Sequence, residues 1–532
     1  MTDTVSIEGA AIWTGVRPSP RPGHLLIRDG RIAAIEMGAS SGATGPHVRR
    51  AAHVLPGFID AHSHLTVSAW LPHTLDASRW TNAAAALDAI GRHRAARPDG
   101  SWIVALDADL DRWSLPRPDD LDAAAGGHPT VIADFSLHRC LASSEARRFS
   151  ERAGTRAADD IGMSRGRATG VLWESASAAV LTAAFRALAN EIGELGHEAL
   201  LIEEARRHLA LGITACHDPC VSASLQPLLD RVRQATPLRL SWSSVAEDGL
   251  LEPASVAELC PSCGEGPPSA KLFMDGAHKC ALCLDPKHVL TILGATATAA
   301  MRHNFAPLRE LIAYRSVYRA GRFYTPYLRM ESVELTRRLA TLSRQGVRPR
   351  IHAVGNHAAA CACRSLIDAG LRNATLEHLT FLGAREIDAV AATGAVASLQ
   401  PGFIERFGRG IVDRRLAPGL HAYPAASLLR AGVPVAFSSD NPCGPLDPLR
   451  NIRAAVERRM DGGPAVDARE AVAVEDAVAA YTLGGYHAIH GMPGGGLQVG
   501  APADFIVLDG HPMAAASRVK ETWIDGRLVW SA

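Results

Sequence analysis

Short runs of apolar residues recur along the chain, and stretches with helical spacing separate several of them. Eight of these runs predict buried strands, and segments such as VELTRRLATLSRQG, with apolar residues at helical spacing and a closing glycine, predict helices between them. This alternation is typical of an α/β fold with a parallel (β/α)8 barrel. The eight predicted strands cover residues 53–60, 213–218, 238–245, 271–276, 348–354, 373–379, 395–401 and 433–440.

Both ends of the chain alternate apolar and polar residues around Asp-Gly turns. Asp29 and Gly30 divide LLIRDGRIAAI, and ADFIVLDG and ETWIDGRLVW repeat the pattern near the other end. We therefore expect residues 1–55 and 488–532 to form one small β domain beside a catalytic barrel of residues 56–487. The long gap between the first two predicted strands indicates an insertion at the barrel mouth, at about residues 66–205.

Length and composition favour an ordered protein that binds a small molecule. The 532 residues are 47% hydrophobic, which is enough for a large core, and 55 basic side chains balance 55 acidic ones. Balanced charge argues against nucleic acid or an acidic membrane as a partner. The first residues lack the pattern of a secretion signal, and no apolar run of about 18 residues occurs, so we expect a cytoplasmic protein.

Ten cysteines without a secretory context indicate reduced thiols. Four of them, Cys260, Cys263, Cys280 and Cys283, form two CxxC pairs with the spacing of a structural zinc ribbon. The intervening AKLFMDG predicts a buried strand, and about seven residues at roughly 3.3 Å each would hold the two pairs more than about 20 Å apart. This distance disfavours the zinc ribbon as an interpretation.

The segment PGFIDAHSHL places His62 and His64 two residues apart at the end of a predicted strand. Side chains at such positions point to the same side, and neutral imidazole suits a zinc-class ion. His352, His378 and Asp440 end the fifth, sixth and eighth predicted strands, on the face where barrel active sites lie. Each has a structural alternative, such as a buried hydrogen-bonded histidine or a helix cap, but their coincidence predicts a shared metal site.

Lys271 lies on the fourth predicted strand. Its structural alternative is a partly buried ion pair with an acid such as Asp275. A lysine placed beside cations loses its proton, and a neutral amine can take up carbon dioxide to become a carbamate that bridges two ions.

Beyond these residues, the chain resembles the amidohydrolase superfamily, and within it the amidohydrolase 3 (YtcJ-like) family, over nearly its whole length. The resemblance rests on an ordered series of motifs: PGFIDAHSHL, SWIVALDADLDRW, GRATGVLWESA, LGITACHD, KLFMDGA, IHAVGNHA, LEHL, SLQP, VPVAFSSDNP and GLQVGAPADFIVLDG. It implies a TIM-like barrel, a small β-sandwich built from both termini and a domain inserted after the first barrel strand.

The resemblance also implies one or two zinc ions, or other divalent transition metals. His62 and His64 would bind the more buried ion with Asp440, His352 and His378 would bind the second, and a CO2-derived carbamate on Lys271 would bridge them. A metal-activated water would attack a polarised carbonyl, with Asp440 as general acid and base. Motif matches and strand ends add four candidate substrate-binding residues, each with structural hydrogen bonding as the alternative: His138, Glu174, His217 and Gln400.

Three segments depart from the family pattern. The usual HAIGDRA reads HAVGNHA, which puts Asn356 and His357 in place of Asp and Arg. The usual GHAAWVNS reads LHRCLASS, with Ser143 in place of Asn, and residues 277–284 lack the usual loop of small residues. These changes lie where substrate specificity is expected to be set, so the resemblance carries over metal ligands better than substrate contacts.

The predicted activity is hydrolysis of a carbon–nitrogen bond in a small amide, formamide or cyclic imide. Decarboxylation, isomerisation and ester hydrolysis are alternatives that keep the same barrel and metal site. A non-catalytic zinc-binding scaffold is the alternative from another class. The expected partner is a small-molecule substrate, with neither nucleic acid nor membrane, and family members are often homodimers.

Overall fold

A ring of eight parallel strands forms the centre of the fold. Each strand hydrogen-bonds to the next one along the chain, and their bounds are Phe58–Asp60, Ile213–Ser222, Arg239–Val245, Ser269–Phe273, Arg348–Ala353, Thr375–His378, Val396–Leu399 and Val435–Phe437. All eight coincide with predicted strands, so the parallel barrel is confirmed. The computed structural model describes residues 4–16, 20–38, 48–111, 113–151, 160–245, 264–303, 316–414, 419–460 and 463–532.

The first and eighth barrel strands meet just beyond their carboxyl ends. The backbone N–H of Asp440 donates to the carbonyl of His62 at 2.7 Å, and the N–H of His64 donates to the carbonyl of Asn441 at 2.8 Å. These two hydrogen bonds bring together segments from opposite ends of the barrel sequence. They lie at the mouth of the ring, where the predicted ligands are.

Helices surround the barrel and bury their apolar sides against it. Ser332–Arg344 shows why: Leu335, Leu339 and Leu342 lie at helical spacing and are all buried in the main core. The helices in the barrel region are Gln226–Ala235, Pro286–Met301, Ser332–Arg344, Asn356–Asp368, Ala384–Thr393, Phe403–Arg414, Ala425–Arg430, Pro448–Glu457, Val474–Ala479 and Gly485–His490.

A six-stranded sheet lies between the first and second barrel strands in sequence. Its strands, in spatial order, are Ile161–Ser164, Arg167–Trp173, Arg139–Ala142, Thr130–Asp134, Ile103–Ala108 and Leu75–Asp76. Helices Ala83–Arg94, Pro118–Ala125 and Ser144–Glu151 connect these strands, and Glu174–Ala210 leads back to the barrel. The predicted insertion thus falls on a sheet outside the barrel ring, while its standing as a separate domain stays a prediction.

Strands from both ends of the chain share one seven-stranded sheet. In spatial order they are Arg527–Ser531, Val519–Ile524, Phe505–Leu508, Val48–Pro56, Thr4–Ile12, Arg21–Arg28 and Arg31–Met37. The predicted Asp-Gly turns join two of the hairpins, and Asp29 and Asp525 both adopt positive φ there, at 51° and 48°. The sandwich form of this unit and its bounds at residues 55 and 488 stay predictions.

The longest helix among the described residues, Glu174–Ala210, is interrupted by non-helical backbone at Gly193 and carries charged side chains along its length. Across the described ranges, no helix combines the length and apolar character needed to cross a bilayer.

Gly57 provides a test of the packing between the first two barrel strands. A Cβ atom at Gly57 would lie 2.3 Å from Oγ1 of Thr214, a clash that requires the backbone to shift. We expect Gly57→Ala to destabilise the protein by about 1–3 kcal/mol, measured as a lower melting temperature. Gly91→Ala is the control, because a Cβ at Gly91 meets nothing within 4 Å inside the helix Ala83–Arg94. Equal melting temperatures for the two variants would contradict the proposed contact.

Candidate metal centre at the barrel mouth

Three predicted ligands from opposite ends of the barrel sequence lie close together. The ligand atoms of His62, His64 and Asp440 are all within 4.8 Å of one another. Oδ1 of Asp440 is 3.0 Å from Nε2 of His64 and 3.4 Å from Nε2 of His62. Two imidazole nitrogens and a carboxylate oxygen in this arrangement suit a zinc-class ion.

The other two predicted histidines extend this cluster. The ring centroids of His352 and His378 are 4.5 Å apart, and that of His378 is 5.0 Å from His62. Nδ1 of His378 also lies 3.8 Å from Oδ2 of Asp440. Lys271 is buried on the fourth barrel strand and interacts electrostatically with Asp440. All six predicted ligand residues therefore belong to one region of the barrel.

The backbone at two of these residues adopts an unusual conformation. His378 has a φ of 74° and Asp440 a φ of 52°, both in the left-handed region. For a residue with a Cβ atom this conformation costs on the order of 1 kcal/mol, and it concentrates at functional sites. At both positions the chain turns sharply at the end of a barrel strand, which directs the side chain into the mouth.

Hydrogen bonds fix the orientation of two imidazoles. Nδ1 of His62 donates to Oε2 of Glu377 at 2.8 Å, and Nδ1 of His378 donates to Oε1 of Gln400 at 2.9 Å. In both rings Nε2 therefore carries the lone pair that a metal needs. Arg350 in turn donates to Oε1 of Glu377 at 2.6 Å and to the carbonyl of Ala61, so Glu377 is held from both sides.

Burial keeps the imidazoles neutral. Burial lowers the pKa of His378 to about 3, and it also lowers the pKa of His62 and of His352. The pKa of Lys271 is lowered as well, chiefly by burial, which favours the neutral amine. Neutral nitrogen donors and an ionised Asp440 are the protonation states in which these groups bind metal.

Buried polar atoms without a hydrogen bond test whether these residues fit a cation. Oδ1 of Asp440 and Nε2 of His352 are buried and have no hydrogen-bond partner of acceptable geometry in the described part of the chain. An unpaired buried polar atom costs about 1–3 kcal/mol, so two of them in one cluster require an explanation. A cation of the zinc class explains both, because it would bind atoms that already lack a partner.

A second group of residues forms a wall beside these ligands. The ring of His138 stacks on that of His352 with centroids 5.5 Å apart, and its Nδ1 donates to Oε2 of Glu174 at 2.7 Å. Oε1 of Glu174 accepts from the backbone N–H groups of His278 and Lys279, both at 3.0 Å. Glu174 therefore links the insertion to the loop after the fourth barrel strand.

Positively charged neighbours and the absence of a side chain at Gly276 stabilise Glu174 in that position. Burial would raise the pKa of Glu174, but His138 and then Arg329 hold it well below its usual range. Nη2 of Arg329 lies 3.2 Å from Oε2 of Glu174. Gly276 leaves room for the carboxylate, because a Cβ atom there would lie 2.2 Å from it.

The four candidate substrate-binding residues differ in their surroundings. His138 and Glu174 lie beside the predicted ligands, and Gln400 orients His378 and donates to Oγ of Ser438 at 2.9 Å. His217 instead forms hydrogen bonds with the neighbouring barrel strand through both ring nitrogens. Their partners are Oγ of Ser241 and Oγ of Ser243, at 2.8 Å each. These contacts match the structural alternative for His217, and its substrate contact stays a prediction.

The residues that depart from the family pattern form local structural contacts. Asn356 exchanges two hydrogen bonds with the backbone of Cys283, both at 2.9 Å. The ring of His357 packs edge-on against Tyr324, and Oγ of Ser143 accepts from the backbone of Thr130. Asn356 therefore anchors the end of the unusual loop at residues 277–284.

The zinc ribbon, which the sequence disfavours, would require all four cysteines of the two CxxC pairs. Cys260 and Cys263 lie outside the described residues. Cys280 is buried, and Cys283 is half-buried with its Sγ 3.5 Å from Nη1 of Arg322.

Sequence reasoning missed Glu377 and Arg350. Glu377 directly precedes His378, and alternation along a strand assigns it to the opposite side, away from the ligands. A signal was nevertheless present, because a charged residue inside a buried strand needs a partner, and Glu377 and Arg350 lie on adjacent predicted strands with opposite charges. His278 and Arg329 were also missed, since their role depends on the fold of the loops.

A profile of the amidohydrolase family matches residues 51–530. The chain belongs to this family. Among curated relatives, the N-substituted formamide deformylase of Arthrobacter pascens is 27% identical over 543 residues, covering 95% of this amidohydrolase and 94% of that protein. Putative amidohydrolase YtcJ of Bacillus subtilis (strain 168) is 28% identical over 200 residues, covering 35% of this chain and 38% of that protein.

Solved structures agree with the fold of this amidohydrolase. An uncharacterized metal-dependent hydrolase from Pyrococcus furiosus aligns with a TM-score of 0.64 at 19% identity, over 96% of this chain and 100% of that chain. Another from Pyrococcus horikoshii OT3 aligns with a TM-score of 0.66 at 19% identity, over 96% and 99%. At this identity the likeness concerns the fold.

Replacing Glu377 tests how strongly it supports the ligands. Glu377→Gln keeps the shape but removes the charge that His62 and Arg350 contact, so we expect zinc affinity to fall about 10- to 100-fold. Zinc retained after dialysis against a chelator measures this change. Glu203→Gln on the exposed side of a helix is the matched control. Equal zinc retention in both variants would show that Glu377 does not support the site.

Proposed function

We propose that this amidohydrolase uses a metal ion to hydrolyse the carbon–nitrogen bond of a small N-substituted formamide or a related amide. The observation that carries the proposal is the convergence of His62, His64 and Asp440, with His352 and His378 beside them, at the mouth of a barrel. The similarity to a formamide deformylase over 95% of the chain favours a formamide among the amides.

The proposed ligands are His62, His64 and Asp440 for one ion and His352 and His378 for a second. A bound zinc-class ion supplies a Lewis acid for the substrate carbonyl and lowers the pKa of a water to roughly 7. Lys271, whose pKa is lowered by burial, would be the site of a CO2-derived carbamate, which would supply carboxylate oxygens to the metal.

Asp440 is the proposed proton carrier. Burial would raise its pKa, but His62, His64 and His378 hold it well below the usual range, so the carboxylate begins ionised. It can accept a proton from the attacking water and return it to the leaving nitrogen. A leaving amine needs this proton more than an alcohol does, because an amide anion is a poor leaving group.

His138 and Glu174 are proposed to orient the substrate. Nδ1 of His138 donates to Glu174, so Nε2 lies on the opposite side of the ring. A polar group of the substrate that approaches His352 would meet this nitrogen. His217 and Gln400 remain further candidates for the substrate pocket.

We also propose four features of the whole protein. They are a sandwich from residues 1–55 and 488–532, an inserted domain at about 66–205, a cytoplasmic location and a homodimer. The proposed partner is a small molecule.

Asp440→Asn tests the catalytic assignment. We expect it to lower kcat for N-substituted formamides at least about 100-fold, because the amide cannot carry the proton. Formate release by the zinc-loaded enzyme measures this rate, and Asp368→Asn on the exposed side of a helix is the control. If the enzyme turns over esters or carboxylates in a reaction that requires Asp440, but does not turn over formamides, the proposed cleavage of a carbon–nitrogen bond is wrong. The proposal of a metal-dependent hydrolase is retained in that case.

Lys271→Met tests the carbamate. Enzyme prepared with carbon-13 bicarbonate should give a carbamate resonance by carbon-13 NMR, and the variant should lack it. The variant should also retain less zinc, because it would lack the carbamate oxygens as ligands. A carbamate signal that persists in Lys271→Met would assign the modification to another amine.

A further inference from the structure

The predicted ligands are covered in this structure. Five of the six residues are at most 5% exposed: His62, Lys271, His352, His378 and Asp440. The side chain of the sixth, His64, is 16% exposed. A substrate needs more room than this exposure provides, so covering atoms must move aside before it enters.

One element that covers the ligands is a turn of the inserted sheet. Strands Thr130–Asp134 and Arg139–Ala142 pair antiparallel, and residues 135–138 form the turn between them, named the hairpin tip. Leu137 within it has a φ of 60°, in the left-handed region that a residue with a Cβ atom rarely adopts. The contacts around the hairpin tip therefore maintain its conformation.

The hairpin tip spans the mouth of the barrel. On one side, Oγ of Ser136 lies 2.9 Å from Nε2 of His278, in the loop after the fourth barrel strand. On the other side, the carbonyl of Ser136 accepts from Sγ of Cys443 at 3.5 Å, and Cys443 follows the eighth strand. Between them, the ring of His138 stacks on that of His352 with centroids 5.5 Å apart. The fourth and eighth strands lie on opposite sides of a ring of eight, so the hairpin tip crosses over the ligands.

The contacts on the two sides differ in their exposure to water. Toward the fourth strand, the buried carboxylate of Glu174 pairs with His138 and Arg329. Separating a buried charge from its partners is costly, so this side stays in place. Toward the seventh strand, Arg406 forms an ion pair with Asp107, and the two side chains are 29% and 28% exposed. An ion pair in contact with water contributes little to stability, so this side separates more readily.

Arg406 also connects the hairpin tip to the helix that follows the seventh barrel strand. Its guanidinium lies over the ring of Phe135, 5.6 Å from the centroid, and the rings of Phe135 and Phe407 are 4.9 Å apart. Asp107, its ionic partner, has a φ of 69°. Positive φ at Asp107, as at Leu137, indicates a conformation that depends on the contacts around it.

We propose that the hairpin tip is a lid over the predicted ligands and that the ion pair of Arg406 with Asp107 is its latch. When the ion pair breaks, the hairpin tip turns about its buried contacts with Glu174 and separates from the helix after the seventh strand. When the ion pair forms again, the lid excludes water from the ligands. This inference rests on the proposed function only in that a small molecule must reach the ligands.

The thiol of Cys443 reports whether the lid opens, because it contacts the hairpin tip and is 5% exposed. Cys363 is the reference thiol, since it is 1% exposed in the main core. Labelling the purified protein with N-ethylmaleimide, followed by peptide mass spectrometry, gives the rate at each thiol. We expect Cys443 to react at least about tenfold faster than Cys363, because local opening is more frequent than global unfolding. Equal rates overturn the lid, since both thiols would then depend on global unfolding.

Asp107→Asn and Arg406→Gln test the latch. Asparagine adopts positive φ as aspartate does, so the first variant removes the charge without added strain. Because labelling follows the population of the open form, both variants should raise the Cys443 rate about two- to fivefold and leave the Cys363 rate unchanged. Arg206→Gln, which removes another exposed ion pair, is the control and should change neither rate. An unchanged Cys443 rate in both latch variants overturns the proposal.

The labelling rates do not require turnover, so this test is separate from that of the proposed function. Selective labelling of Cys443 in a protein that hydrolyses no formamide would support the lid and contradict the proposed reaction. Formate release together with equal labelling of the two thiols would overturn the lid and leave the proposed function intact. If a latch variant labels both thiols faster, it has lost global stability, and the two rates in the unmodified chain then decide.

Discussion

The arrangement of the whole site depends on how the barrel ring closes. The hydrogen bonds from Asp440 to His62 and from His64 to Asn441 join backbone from opposite ends of the barrel sequence. They place a carboxylate from the eighth strand beside two imidazoles from the first strand. Without this contact the three ligands would belong to segments with no direct connection, so the geometry of the candidate centre is a property of the closed ring.

Burial then determines the chemical state of these groups. In water, histidine and lysine side chains spend part or all of their time protonated, and protonated nitrogen does not bind metal. Inside the barrel, desolvation lowers the pKa of His62, His352, His378 and Lys271. Glu377 and Arg350 bring charge into the same low-dielectric region, but as a hydrogen-bonded pair whose net charge is small.

Much of the fold could be predicted from the sequence because strand signals are local. Apolar runs identified all eight barrel strands, and the Asp-Gly turns identified the terminal hairpins. The predicted ligands could be found because they end strands, and ends of parallel strands in a barrel share one face. Arg329 and His278 could not be found in this way, since their contacts with Glu174 are set by loop paths that no periodicity encodes. Glu377 was missed for another reason: strand alternation assigns it to the side opposite the predicted ligands, although its partner Arg350 lies on the adjacent strand.

The terminal sheet has a consequence for how the chain folds during synthesis. Strand Val48–Pro56 runs directly into the first barrel strand, yet one of its neighbours is Phe505–Leu508, which the ribosome makes after the entire barrel. Until then one edge of Val48–Pro56 lacks its partner and presents unpaired backbone groups. Non-local pairing of this kind slows folding and exposes edges to aggregation. Nascent chains of this protein thus depend on strand Phe505–Leu508, and on protection of that edge until it is made, for completion of the sheet.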